Sequence, residues 1–376
     1  MDNFDFKCPI TQQILLNPVV ASDSHIYEKT AFEIWVKDHK TSPFTGLELK
    51  NKNYHKCFIV DKLLENFLKQ NPELVKDQYM ELFNFKNFIK LYNENLENAE
   101  AYLDKYNEIK IDFNDLPKNI YKNNNLMKKI IDKCDDLERG DNGGWKPIHY
   151  ICKFSTPEII KYVIDKEGVN LECENNDKCR PIHFICQYST PEMIKYIIDK
   201  GVDLECEDND KCRPIHFICR FSTPEMIKYI IDKGVDLECE DNDKWRPIHY
   251  ICSFSTPEMI KYIIDKGVDL ECEDNYKWRP IHYICKFSTP EMIKYIINKG
   301  VDLECEDIDK WRPIHIICQY STPEMIKYII DKGVDLECED NNKCRPIHYI
   351  CKFSTLKMIK YIIDKGVDLE CVDNNK

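Results

Sequence analysis

The triplet Pro-Ile-His begins at residues 147, 181, 214, 247, 280, 313 and 346, and after one 34-residue step every step is 33. A fixed period of this size constrains the fold more than any local motif. It requires stacked supersecondary units, each too small to bury its own apolar face and each covered by its neighbour. The copy at residues 238–270 spells out one unit. Pro247 suits a first helical position, where its missing N–H costs nothing. Ile248, Ile251 and Cys252 follow at i, i+3 and i+4, which predicts a short amphipathic helix. Ser255-Thr256-Pro257-Glu258 reads as a capping box, with Ser255 accepting the Glu258 N–H. Met259, Ile260, Ile263 and Ile264 give a second helix one apolar face. Gly267 stands where a left-handed C-terminal cap is wanted. The last copy has Leu356-Lys357 in place of Pro-Glu, which predicts a C-terminal capping unit. Leu126 to Leu137 reads as the second half of a degenerate first unit.

Composition removes several function classes. The net charge is −13, and acidic residues outnumber basic ones inside the repeat itself. Both signs alternate along the chain, so the basic stripe that nucleic acid requires is missing. No apolar run reaches the roughly 20 residues of a membrane span. The start, Met-Asp-Asn-Phe-Asp, is no signal peptide, and a cytoplasmic protein is expected. Most of the twenty cysteines fall at two fixed places in the repeat. One lies on the apolar face of the first helix, where free Cys behaves as a small hydrophobe, and reduced thiols are the default without secretion. No Cys-x-x-Cys pair occurs, so no metal is expected. The repeat histidines are read as structural. With no Gly-rich phosphate loop, nucleophile elbow or clustered acid–base set, neither a cofactor nor a catalytic residue is expected.

Together these features resemble the ankyrin repeat. Pro-Ile-His stands where that family has the Pro-Leu-His of its Thr-Pro-Leu-His signature, and Lys-Gly-Val-Asp-Leu-Glu matches the end of its unit. Arg180, Arg213, Arg246, Arg279, Arg312 and Arg345 occupy the signature Thr position, so the hydrogen bond of that Thr is lost. The near-identical copies, rich in Ile, Lys, Asn and Tyr, also resemble the ankyrin-repeat proteins of giant DNA viruses of amoebae. On that likeness the cytoplasm would be that of the host cell.

Residues 1–75 do not follow the repeat. Asn17 to Ala21 predicts a strand, and Asp23 to Glu28 a turn into a second. Ala31, Phe32, Ile34, Trp35 and Val36 mark a helix, Thr41 to Gly46 a loop, and Ile59, Leu63, Leu64, Phe67 and Leu68 a second helix. Cys8, Cys57, His25, His39 and His55 are too few, and wrongly spaced, for two tetrahedral zinc sites. In order, Cys8-Pro9-Ile10-Thr11, Pro18-Val19, Asp23-Ser24-His25-Ile26-Tyr27-Glu28, Trp35 and Ser42-Pro43-Phe44-Thr45 resemble the blocks of the U-box, the zinc-free relative of the RING domain. The resemblance implies loops held by hydrogen bonds and salt bridges, and a ubiquitin ligase that works by proximity. It also implies contacts to a ubiquitin-conjugating enzyme from Ile10, Trp35 and Pro43, and a homodimer through the U-box as one assembly. Gln12 and Gly46 stand where the family pattern has an apolar residue and a basic or amide residue. Tyr54-His55-Lys56 replaces its Pro-Asn.

The expected architecture is therefore an α+β U-box-like domain (1–75), a helical linker (76–112) and an all-α ankyrin-repeat solenoid of helix-turn-helix units (113–376). Among the copies, the residue before Arg varies, and so does the residue after the first-helix Cys. Ankyrin stacks turn these positions to a groove that contacts protein partners, which implies a substrate groove containing Trp145, Trp245, Trp278 and Trp311. A row of Trp beside Arg has the composition of an interface hot spot. It equally fits Trp stacked on a neighbouring Arg as a cation–π pair. Two functions remain: a ubiquitin ligase with protein substrates, or a non-catalytic ankyrin scaffold that binds or sequesters a protein.

Overall fold

The structure, a computed structural model, describes residues 6–56, 58–71, 74, 85–106, 108–134 and 136–374. It divides into two compact units, Met1–Lys110 and Ile111–Lys376.

In the N-terminal unit three short strands, β1 (Pro18–Ala21), β2 (Ile26–Glu28) and β3 (Tyr54–Lys56), form an antiparallel sheet in the order β2-β1-β3. Val19 pairs with Tyr27 on one side and with Lys56 on the other. Helix α1 (Lys29–Asp38) follows β2 directly, and α2 (Phe58–Gln70) runs C-terminal to β3. Strand β3 was not anticipated, because polar Tyr-His-Lys carries no alternation to read. The core gathers Phe6, Cys8, Ile14, Leu15, Ala21, Tyr27, Phe32, Leu49 and Leu64. The apolar face assigned to α2 needs correction. Val60 and Leu64 are buried, Phe67 and Leu68 partly so, while Ile59 and Leu63 are exposed. A stripe through Val60 and Leu64 meets the sheet, and Ile59 and Leu63 fall on its far flank. Helices α3 (Phe85–Glu94) and α4 (Leu96–Leu103) follow. Asn95 caps α4 by accepting the Glu97 N–H at 2.7 Å. Residues 76–84 and 107 of the expected helical linker, and Cys57, lie outside the described residues.

The second unit opens with two 3₁₀ turns, Phe113–Asp115 and Ile120–Lys122, and α5 (Asn124–Lys133). Met127, Ile130 and Ile131 of α5 are buried, as the second half of a degenerate repeat should be. Seven helix pairs follow: α6 and α7 (Pro147–Phe154, Pro157–Ile164), α8 and α9 (Pro181–Tyr188, Pro191–Asp199), α10 and α11 (Pro214–Phe221, Pro224–Asp232), α12 and α13 (Pro247–Phe254, Pro257–Asp265), α14 and α15 (Pro280–Phe287, Pro290–Asn298), α16 and α17 (Pro313–Tyr320, Pro323–Asp331), α18 and α19 (Pro346–Phe353, Leu356–Asp364). Pro opens every one of them except α19. Gly267 adopts φ +86°, the left-handed cap expected of it.

Two local expectations are corrected. The second helix is capped by Thr256 and not by Ser255: Thr256 Oγ1 accepts the Met259 N–H at 3.3 Å, and Ser255 instead closes α12. Pro257 at the first helical position shifts the cap one residue onward, and Glu258 becomes the second helical residue. The last pair is not a polar cap either. Thr355 still caps α19, but Leu356, Ile363 and Leu369 are exposed.

Three ladders run through the stack. In the first, His249 Nδ1 accepts the Arg246 N–H at 2.9 Å, so the proton sits on Nε2, 3.3 Å from the Cys272 carbonyl of the next hairpin. In the second, the Arg246 guanidinium meets Glu238 (2.6 Å), Glu240 (2.8 Å) and, one repeat on, Asp269 (3.3 Å). Arg180, Arg213, Arg279, Arg312 and Arg345 repeat the arrangement. Arg at the signature position thus replaces a hydroxyl contact with a three-carboxylate clamp. In the third, Tyr262 Oη donates to Asp232 of the preceding repeat at 2.9 Å, with Lys228 and Lys266 over its ring.

The histidine ladder makes the stack acid-sensitive. Burial lowers the pKa of His149, His183, His216, His249 and His315 below 6.5, and that of His282 to about 4. These rings stay neutral in the fold but protonate in the unfolded chain. Stability is therefore full above the unfolded pKa and falls as pH drops towards the folded one. The loss should be about 1 kcal/mol per ring for each pH unit below the unfolded value. Urea midpoints measured between about pH 7 and 5 should fall steeply. A His249→Gln/His282→Gln stack should fall less steeply over the same range.

Candidate functional site

In the N-terminal unit two loops flank α1. The first, Cys8 to Leu15, is tied to β2: buried Glu28 accepts the N–H groups of Leu16 (2.8 Å) and Asn17 (2.9 Å), and its own N–H donates to Cys8 Sγ at 3.2 Å. The second, Thr41 to Leu49, is tied through Ser42, whose Oγ accepts the N–H groups of Phe44 and Thr45 and lies 3.3 Å from Tyr27 Oη. Tyr27 in turn donates to Asp23 at 2.6 Å. Burial opposes the charge on Asp23, but hydrogen bonds from Ser42, Tyr27 and the His25 N–H outweigh it and hold the carboxyl below its usual range. Trp35 Nε1 donates to the Thr41 carbonyl at 2.8 Å, fastening the second loop to α1, and its ring stacks on His39.

Of the residues expected to touch a conjugating enzyme, Ile10, Trp35 and Pro43 are all half-buried. Ile10 rests partly on the core. Gln12 takes φ +60° and donates to the Pro9 carbonyl at 2.9 Å, tying the side chain to its own loop. Gly46 takes φ +74°, which favours glycine there. Sequence reasoning passed over Ile34, Phe44 (61% exposed) and Leu47 (72% exposed), apolar residues on the same helix and loop. The signal was present: an apolar residue in a loop held by hydrogen bonds has nothing to bury against.

In the stack each unit begins with a hairpin ordered by an aspartate, or by Asn175 in the second unit. Asp241 Oδ1 accepts the N–H groups of Asp243 and Trp245, and Oδ2 accepts Tyr250 Oη at 2.6 Å. Lys244 is left-handed (φ +59°), as are its counterparts in the other hairpins, with Gly144 in the first. Trp145, Trp245, Trp278 and Trp311 all lie at the junction of hairpin and first helix, half-buried. The pairing of Trp with Arg does not occur among the described contacts, because the carboxylate clamp holds the guanidinium. Trp245 packs instead on Tyr250 (4.9 Å between centroids) and on Tyr283 of the next repeat (5.0 Å). Lysine takes the place expected for Arg in two units, with Lys153 4.9 Å above Trp145 and Lys286 5.0 Å above Trp278.

Comparison with known families follows this division. Residues 119–208, 215–307 and 281–373 match the family of ankyrin repeats, and residues 5–73 match the U-box domain. The chain belongs to the ankyrin-repeat family. Its U-box is 36% identical over 69 residues to U-box domain-containing protein 54 of Arabidopsis thaliana, covering 18% of this chain and 22% of that protein. It is 50% identical over 46 residues to the WD repeat, SAM and U-box domain-containing protein 1 of Homo sapiens, covering 12% of this chain and 10% of that protein. The chain spans about a fifth or less of the length of these curated relatives.

The buried cysteines of the ankyrin stack are free thiols, and burial raises their pKa, to about 12 for Cys206 and Cys272. They are packing groups and not nucleophiles. In the U-box, Glu28 is the residue on which loop geometry turns. Glu28→Ala strips the acceptor from two backbone N–H groups and should cost about 3 kcal/mol. Differential scanning calorimetry should show the U-box transition falling while the ankyrin transition stays in place.

Proposed function

We propose that this chain is a ubiquitin–protein ligase of modular design, a U-box transferase acting by proximity. Residues 1–75 bind a ubiquitin-conjugating enzyme through Ile10, Trp35 and Pro43. The ankyrin stack, 113–376, binds the protein to be marked along the groove that includes Trp145, Trp245, Trp278 and Trp311. The observation that carries this reading is the U-box fold itself, with both loops fastened to β2 and α1 by Glu28, Ser42 and Trp35. No step passes through a group on this chain. The substrate lysine amine attacks the thioester held by the conjugating enzyme, and the ligase contributes effective concentration and orientation.

A non-catalytic scaffold is the second reading. What favours it is the first loop, where Gln12 folds back onto Pro9 and Ile10 rests partly on the core.

Autoubiquitination with a panel of purified conjugating enzymes separates the two. The ligase should give ladders with at least one enzyme, and Ile10→Ala and Pro43→Ala should each reduce them about tenfold or more with the fold intact by circular dichroism. Absence of ladders across the whole panel would establish the scaffold instead.

A further inference from the structure

Near-identical repeats make the exceptions informative. On the first helix, the residue after the Cys is a cation lying over an aromatic ring in four units and an uncharged glutamine, Gln187 or Gln319, in two others. Lys153 and Lys286 sit above Trp145 and Trp278, and the Arg220 guanidinium lies 5.6 Å from the Phe254 ring. In the fourth unit this residue is Ser253. Among the described residues no cation covers Trp245 or, beside Gln319, Trp311, but only in the fourth unit is the covering residue as small as Ser253, whose Oγ is shielded from water without a hydrogen-bond partner.

Ser253 opens onto a cavity of about 420 Å³ floored by Trp245 and Trp278 and walled by Phe254 and Phe287. Two further exceptions stand at its mouth. Tyr276 (59% exposed) and Ile308 (49% exposed) occupy hairpin-tip positions that are Asp, Asn or Gly in the other units. Ile308 gives up the side-chain rung that Asn275 makes to the Asn242 carbonyl at 3.0 Å. Ile316, where the other units have Tyr or Phe, leaves Asp307 Oδ2 without a tyrosine donor, and it accepts Trp278 Nε1 at 2.9 Å instead. Asp274, Asp307 and Asp309 line the cavity against Lys286 alone, three carboxylates to one ammonium.

We propose that this cavity is the specificity pocket of the ankyrin groove, and that it takes a lysine or arginine side chain next to an apolar residue in an extended segment of a partner protein. The cation lies over Trp245, where the first and fifth units place their own lysine against Trp145 and Trp278, in the space that the short Ser253 side chain leaves open. The apolar neighbour covers Tyr276 and Ile308. The excess of carboxylate selects the cation, and the exposed aromatic floor holds it. The inference rests on the reading of the groove as a partner-binding surface.

The test uses the full chain and a phage-displayed library of random dodecamer peptides, with affinities of the selected peptides followed by tryptophan fluorescence. Selected sequences should carry Lys or Arg beside an apolar residue. Ser253→Lys, which installs the residue of the first and fifth units, should weaken them about tenfold or more, as should Tyr276→Asn with Ile308→Asn. Both sets restore residues the chain tolerates elsewhere, and thermal unfolding verifies the fold. Acidic selected peptides would overturn the pocket. So would affinities that ignore these variants but collapse on Trp145→Ala or Trp311→Ala, and that result would leave the groove reading intact. A library that yields no peptide sensitive to any of these groove variants would overturn the groove reading as well.

Discussion

The stack depends on register. The bonds between neighbours recur at fixed separations: Asn242 to the Asn209 carbonyl across 33 residues, Lys266 to Asp232 across 34, and Arg246 to Asp269 across 23. A slip of one residue would break the clamp of every arginine at once. The extra residue near Glu167 is tolerated because it falls after α7, which ends one residue earlier than its counterparts. Lys200 still reaches Asp165, now across 35 residues. Insertions are confined to the turn that carries no rung. Single arginine–carboxylate pairs on a surface contribute little. Their stabilisation here lies in repetition, because each Arg orients two carboxylates of its own unit and one of the next, and Glu238 also accepts the Asp269 N–H. Stability in such an array is a sum of units and nearest-neighbour terms.

The U-box solves a different problem with the same chemistry. A domain of this size is near the lower limit for a self-supporting core, and its two loops add polar ties to the few apolar residues, Cys8, Ile14, Leu15 and Leu49, that they contribute to it. Buried Glu28 replaces what a metal would do for the first loop by gathering adjacent N–H groups, and Ser42 does so for the second. Phe44, in the middle of the second loop, is left exposed, with its ring against His25.

Much of this was legible in the sequence, and the misses share a cause. The helices of the repeat follow from Pro, the apolar spacing and Gly267, because those signals are local. The cap was assigned one residue early because Ser255 and Thr256 are chemically equivalent caps, and only the backbone turn out of α12 chooses between them. The expectation of Trp on Arg failed because it considered two adjacent residues. The partners that captured the guanidinium, Glu238 and Asp269, lie eight residues before and 23 after Arg246. Strand β3 could not be read because an edge strand of Tyr-His-Lys owes its conformation to β1 and not to its own side chains. Ile59 and Leu63 were assigned to the buried face of α2 because periodicity fixes a stripe but not its edge.

A chain of copies also separates architecture from recognition. Whatever stays fixed, including His249 and its counterparts and the buried isoleucines in all seven units and the arginine clamp in six, is accounted for by stacking. What departs in one unit is not required by it. Ser253, Tyr276, Ile308 and Ile316 depart in neighbouring units, and three of them line one cavity or its mouth. The asparagine rung is lost only at Ile308, whereas the cation–π cover absent at Ser253 and the tyrosine–aspartate bond absent at Ile316 are missing in other units too, where Gln and Phe stand in their places. Elsewhere in the solenoid such losses are ordinary drift. Gathered on one face in the fourth to sixth units, they remove stacking contacts where aromatic surface and carboxylate are left facing outward, which is the physical composition of a binding site.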